Sequence, residues 1–180
     1  SGIFDLWYLD LEREAYVDYF DTSQTLRFSQ RAGMQVDGGA GGSRSHPQHS
    51  FRIELDDPVL GQGSAQLQVY DHKPFRNSFG KFYLRNGSNM YLSFPYKDAC
   101  ETRLMCENTK NYYSAMIPVS VYINGEYFGL YEMREKMDEE FFNEADGADQ
   151  DSVSILSQSY WGGGYLRAIS GSVDSFYTDY

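Results

Sequence analysis

The chain is poor in cysteine, histidine and proline, and it has neither an excess of basic residues nor a long apolar run. Only Cys100 and Cys106 are cysteines, and only His46, His49 and His72 are histidines, among 180 residues. In a segment that reads as helical, the two cysteines would stand about 9 Å apart on different sides, too far for a disulfide. Neither has a Cys or His at zinc-finger spacing, and the histidines lie scattered over expected loops without metal-ligand spacing. Lys and Arg number 15 against 26 Asp and Glu, a formal charge of -11. Such a chain repels a phosphate backbone unless its basic residues gather in one patch, and none is visible, so nucleic acid is excluded as a partner. No stretch approaches the roughly 18 apolar residues of a membrane helix, which excludes membrane insertion by a helix. The start, Ser1-Gly2-Ile3-Phe4, lacks the basic stretch and apolar run of a signal peptide. Cysteine usage leaves the redox compartment open.

What the chain does have is aromatic side chains: 16 Tyr, 12 Phe and 2 Trp. Tyrosine suits sheet surfaces, and it suits stacking on sugars or nucleotides equally well. A chain of this length buries roughly two-thirds of its unfolded surface, so residues 1–180 are expected to form a single domain.

Period-2 alternation and β-branched or aromatic enrichment predict strands at Ala15–Phe20, Leu26–Phe28, Met34–Val36, Phe51–Leu55, Ala65–Val69 and Lys81–Leu84, with a hairpin around Thr22-Ser23-Gln24. The strongest local signal is Met116–Ile123, then Asn124-Gly125, then Glu126–Tyr131: two β-rich runs joined by the dipeptide that fits a type I′ turn. Helices are expected from Tyr96 to about Thr109, with Tyr96, Ala99, Cys100 and Leu104 on one face, and from Arg134 to about Ala145, with Met137, Phe141 and Ala145 in one stripe. A short strand at Val153–Leu156, a loop at Tyr160–Gly164 and a helical start after Ser170 complete the reading. The fold class is α+β: a twisted antiparallel sheet with two or more helices.

The segment Gly38–Ser45 is too glycine-dense for regular structure and implies positive φ or close backbone approach to something. Its amides and the Arg44 fork suit an anion, although its spacing is neither a Walker A loop nor Gly-x-Gly-x-x-Gly, and a plain turn explains it too. Asp98 would sit in the first turn of its helix, and Glu135 would open the next one, where an acidic residue favours the N-terminus. Tyr160-Trp161 before three glycines reads either as an exposed aromatic platform or as a sheet-edge plug.

Three segments in order resemble the CotH family of atypical protein kinases: Gly41-Gly42-Ser43-Arg44-Ser45-His46-Pro47-Gln48-His49-Ser50-Phe51-Arg52-Ile53, then Leu84-Arg85-Asn86-Gly87-Ser88-Asn89 with Lys97-Asp98, then Val121–Tyr131 closing on Arg134-Glu135-Lys136-Met137-Asp138. The resemblance implies a distant kinase-like fold, ATP with Mg or Mn, and phosphorylation of secreted or surface proteins, hence an exported, periplasmic or cell-surface location. Carried onto this chain, it implies Gly42, Ser43, Arg44, His49, Ser50 and Arg52 at the nucleotide, and Asp98 and Glu135 as catalytic carboxylates, Glu135 turned into the cleft to fix a basic partner. Two positions depart from the family pattern: His49 stands where a lysine is usual, and Asn89-Met90 where Asn-Asp is common. By the same resemblance the metal-holding carboxylates belong to a segment beyond Tyr180, so no metal ligand is assigned and the domain is expected to be incomplete here. A noncatalytic surface module, displaying its tyrosines to carbohydrate or to a protein partner, is the rival reading. A third is a structural piece whose core closes only with further chain or a second copy.

Overall fold

The computed structural model describes residues 2–39, 43–158 and 164–179. They group into two compact units, 1–136 and 137–180. In the first unit the strands are β1 (Glu12–Phe20), β2 (Leu26–Asp37), β3 (Ser50–Glu54), β4 (Ala65–Gln66), β5 (Ser78–Phe79), β6 (Lys81–Arg85), β7 (Met116–Ile123) and β8 (Glu126–Glu135), with helix α1 (Lys97–Cys106) between β6 and β7. Six of these strands form one sheet in the order β1-β2-β3-β6-β8-β7, antiparallel throughout. This is the α+β architecture expected from the alternation.

The register explains the core. Because directly paired residues share a face and successive residues alternate, one face carries the rows Met34–Ile53–Phe82 and Val36–Phe51–Leu84–Met133–Ile117. Val36, Phe51, Ile53, Phe82 and Met133 are all buried there. The opposite face carries Gln35–Arg52–Tyr83–Arg134, with Arg85 and Glu132 beside them. Residues of both edge strands, Val17 and Tyr19 of β1 and Val119 and Val121 of β7, line one trough of about 1660 Å³ over the apolar face. The sheet is therefore curled.

Several elements differ from the sequence reading. Leu26–Asp37 is one strand rather than two, because it pairs with β1 along one edge and β3 along the other. Of Ala65–Val69 only the first two residues pair, with β5, and the chain from 67 to 77 is irregular. Asn124 and Gly125 adopt φ 53° and 84°, the left-handed values of the expected turn. Helix α1 exists but buries only Ala99, and Leu104, placed on its inner face by periodicity, is 82% exposed.

The second unit holds α2 (Glu139–Asp146), the antiparallel pair β9 (Ile155–Gln158) and β10 (Leu166–Ser170), and α3 (Asp174–Asp179). The second predicted helix starts late. Arg134 and Glu135 stay in β8 because they pair with Tyr83 and Phe82, and the helix begins only where the Asp138 carboxylate caps it by accepting from the Phe141 amide at 3.2 Å. Strand β10 was not anticipated. Gly41, Gly42 and Tyr160–Gly163 lie outside the described residues. No helix among the described residues is long and apolar enough to cross a membrane.

Candidate functional site

Glu135 is the point where the apolar face ends in a charge. It continues the row Met34–Ile53–Phe82, so its side chain enters the interior and is fully buried. A bare carboxylate there would be prohibitive. Two cations from the irregular 67–77 segment compensate it: Lys73 Nζ stands 2.6 Å from Oε2, and Arg76 Nε 2.9 Å from Oε1. The Ala115 amide donates to Oε2 at 3.0 Å. The Lys73 ammonium also donates to the Tyr113 carbonyl and lies 4.4 Å from the centre of the Tyr113 ring. Burial lowers the pKa of Lys73 from the usual lysine value, and the charge and hydrogen bond of Glu135 oppose that shift. Glu135 is thus the end of a strand fixing a basic partner, not the opening of a helix. Sequence reasoning missed Lys73 and Arg76. They sit 62 and 59 residues before Glu135 in a stretch without periodicity, and the short β4–β5 pair closes that stretch.

Asp98 lies on the other side of the sheet. Its carboxylate accepts from Arg134 and, at 2.7 Å, from Arg85. Burial raises its pKa, but the Arg134 hydrogen bond and charge outweigh that and leave it below the usual aspartate value. Arg134 is shared with Glu132, whose Oε2 is 3.8 Å away. Glu132 is 1% exposed, and its Oε1 has no hydrogen-bond partner. Its pKa is raised, first by burial, with Arg134 and Arg85 pulling the other way. A folded-state pKa above the unfolded one means that this group's contribution to stability is complete below pH 4.5 and is lost as pH rises through the raised value. The stability of Glu132→Gln relative to wild type should therefore improve as pH climbs from 4.5 towards neutrality, measured by urea unfolding across that range. Parallel pH curves for the two proteins would show that the arginines neutralise Glu132 completely.

The loop residues assigned to the nucleotide gather at the opposite end of the strands. Ser50 and Glu135 lie in strands two apart in the sheet, and their Cα atoms are roughly 14 Å apart, from about 3.3 Å per residue and 4.8 Å per strand. The loop is tied down from within. Asn86 Nδ2 donates to the Ser43 and Gln48 carbonyls, the Asn86 amide donates to Ser50 Oγ at 3.0 Å, and the Tyr131 hydroxyl donates to the His49 carbonyl at 2.6 Å. His49, expected in an open loop, is buried instead, with Nδ1 2.7 Å from the Arg44 carbonyl and its ring stacked on Phe4. Arg44 pairs with Asp10 at 2.8 Å. Arg52 faces away from the apolar side and pairs with Glu54 at 2.7 Å and with Gln35. The structure therefore groups Ser43, Arg44, His49 and Ser50 at one end and sets Glu135 at the other. It places Arg52 and Asp98 on the opposite face. Gly42 lies outside the described residues.

Among the described residues, one set of three carboxylates is close enough to share a cation: Glu12, Glu54 and Asp57, with oxygens within 4.8 Å of one another. Arg52 and Lys81 already neutralise Glu54, and Glu54 lies on the face opposite Glu135 by its register with Lys81. The residues described around Lys73 and Glu135 thus form no metal site of their own. Nor do the hairpin tyrosines form a flat platform: Tyr122 and Tyr127 meet edge to face, at 66°.

The family model described as CotH kinase protein matches residues 35–169, about three quarters of the chain. No curated protein and no solved structure matches it. The matched span takes in the 43–50 loop, the Lys73–Glu135 pair and the Asn124-Gly125 hairpin, and on that match the chain belongs to the CotH kinase protein family.

Proposed function

We propose that this chain supplies the nucleotide-binding part of an ATP-dependent phosphoryl-transfer site acting on a protein substrate, with the buried Lys73–Glu135 pair as its centre. That pair is the observation that carries the reading. Phosphoryl transfer depends on positioning and charge neutralisation, and a lysine held by a glutamate is the recurring device for presenting an ammonium to phosphate oxygens. Here the carboxylate is itself held by an amide and a second cation, so the lysine rests on a fixed support. The trough adjoins it through Phe82 and Met133 and reaches Phe4 and Phe51 beside the 43–50 loop. Its apolar floor suits a nucleotide base, and Phe4, which lines it, stacks on His49 of the 43–50 loop.

ATP with Mg or Mn is the donor that family membership implies, and an exported or cell-surface protein is the acceptor. The cation enters no step of this reading, because the residues described at the pair do not hold it. Isothermal titration of ATP with Mg or Mn should show saturable binding to the wild-type chain. Binding should weaken at least about tenfold in Lys73→Met, the loss of one charge-assisted contact. Absence of saturable binding by the wild-type chain, with its fold confirmed by circular dichroism, would sink the reading.

A further inference from the structure

Arg134 and Glu135 are neighbours on β8 whose side chains leave opposite faces of the sheet. Both nevertheless close on the same short stretch, Tyr113–Ala115, which returns from α1 to the sheet. Ser114 Oγ donates to the Glu135 carbonyl at 2.5 Å and accepts from Arg134 Nε at 3.3 Å. The Ala115 amide and carbonyl bond the Glu135 carboxylate and amide, and the Tyr113 carbonyl accepts from Lys73. The Asp98–Arg134 contact and the Lys73–Glu135 pair are thus joined through three consecutive residues.

Helix α1 is held weakly. It buries only Ala99, it has no side-chain N-cap, and its Leu104 and Met105 are exposed. What ties it to the sheet is Asp98, bonded to Arg134 and Arg85. Beneath it lies a cavity of about 100 Å³ lined by Ala99, Cys100 and Arg103 of the helix and by Ser114 and Ala115 of the linking stretch. Space of that size between the two parts means that the helix packs sparsely on the linking stretch. A second carboxylate is also in place for the same guanidinium: Glu132, buried, with one oxygen unpaired.

We propose that α1 is a regulatory element latched by Asp98 through Arg134, and that release of the latch passes Arg134 to Glu132 and loosens Tyr113–Ala115 and the Lys73–Glu135 pair. Asp98 is in this sense a positioning residue, acting on the pair through Arg134 and Ser114. The regulatory meaning rests on the reading of that pair as the nucleotide site; the physical coupling does not. Anything that competes for Asp98 or draws α1 outward would switch the pair.

Hydrogen exchange on the nucleotide-free protein tests the coupling. In Asp98→Asn, exchange should accelerate about tenfold or more in α1 and also at the Ala115 and Glu135 amides, with β3 and β6 unchanged. Acceleration confined to α1, or none at all, overturns the proposal. Should Asp98→Asn accelerate every segment equally, Glu132→Gln decides: removing the competing carboxylate should slow exchange in α1 and at Ala115 together, and unchanged or faster exchange overturns the latch. Because no nucleotide is present, failure here leaves the Lys73–Glu135 site standing, and failure of ATP binding leaves the coupling standing.

Discussion

Glu135→Ala is expected to cost about 3–5 kcal/mol of folding stability, because it removes the carboxylate and leaves the buried Lys73 and Arg76 charges without it. The loss is larger than the net worth of the ion pair. Pairing two charges inside a protein gains little over apolar packing, whereas stranding one there exposes the whole desolvation penalty. The partners should therefore respond unequally. Lys73→Met removes a cation but leaves Glu135 with Arg76 and the Ala115 amide, and an apolar chain of similar length fills the space, so it should cost clearly less. Urea unfolding of both single variants and the double variant measures this. A double variant no worse than Glu135→Ala alone would confirm that the stranded lysine dominates, and equal losses for the two singles would show that the pair is solvated rather than dry.

Asn86→Ala should be the most damaging change at the other end of the sheet. Asn86 is 1% exposed and ties the 43–50 loop to the turn after β6: its side chain donates to the Ser43 and Gln48 carbonyls and accepts from the Ser88 amide at 2.9 Å. Alanine strands these buried groups at about 1–3 kcal/mol each where water does not reach them. The consequence is local as well as global. The 43–50 loop would keep the bond that Tyr131 donates to the His49 carbonyl and the one that the backbone amide of residue 86 donates to Ser50 Oγ, so the sheet should persist while the loop frays. Limited proteolysis should then cut within residues 43–49 of the variant faster than wild type, in parallel with a lower midpoint in thermal melting. A melting loss without faster cleavage would assign Asn86 to the core rather than to the loop.

Much of the fold is legible in the chain itself, and the legible part is short-range. Asn124-Gly125 determined its own turn, because few other dipeptides accept two successive left-handed residues. Alternation at Phe51–Leu55 and Lys81–Leu84 located strands whose buried face the register then confirmed. The ordered motifs from Gly41 to Asp138 pointed to the family that the match over residues 35–169 shows. Cys100 and Cys106 are free, as their spacing on one helix requires.

Tertiary structure alone decided the rest, and each case has the same cause. Arg134-Glu135-Lys136-Met137 has helix-forming composition, yet Arg134 and Glu135 are strand because β6 offers Tyr83 and Phe82 to pair with; cross-strand pairing outweighs local propensity. Lys73 and Arg76 carry no periodic signal and become partners of Glu135 only when β4 and β5 close the intervening chain. Neither the burial of His49 nor the separation of Asp98 from Glu135 on two faces is written in local pattern, because both depend on which strand lies next to which. Where the chain turns and which family it belongs to were legible locally, since backbone sterics act over a few residues and each motif is a contiguous run. Which charges meet inside was left to long-range register, since a buried ion takes its partner from whatever segment the sheet brings beside it.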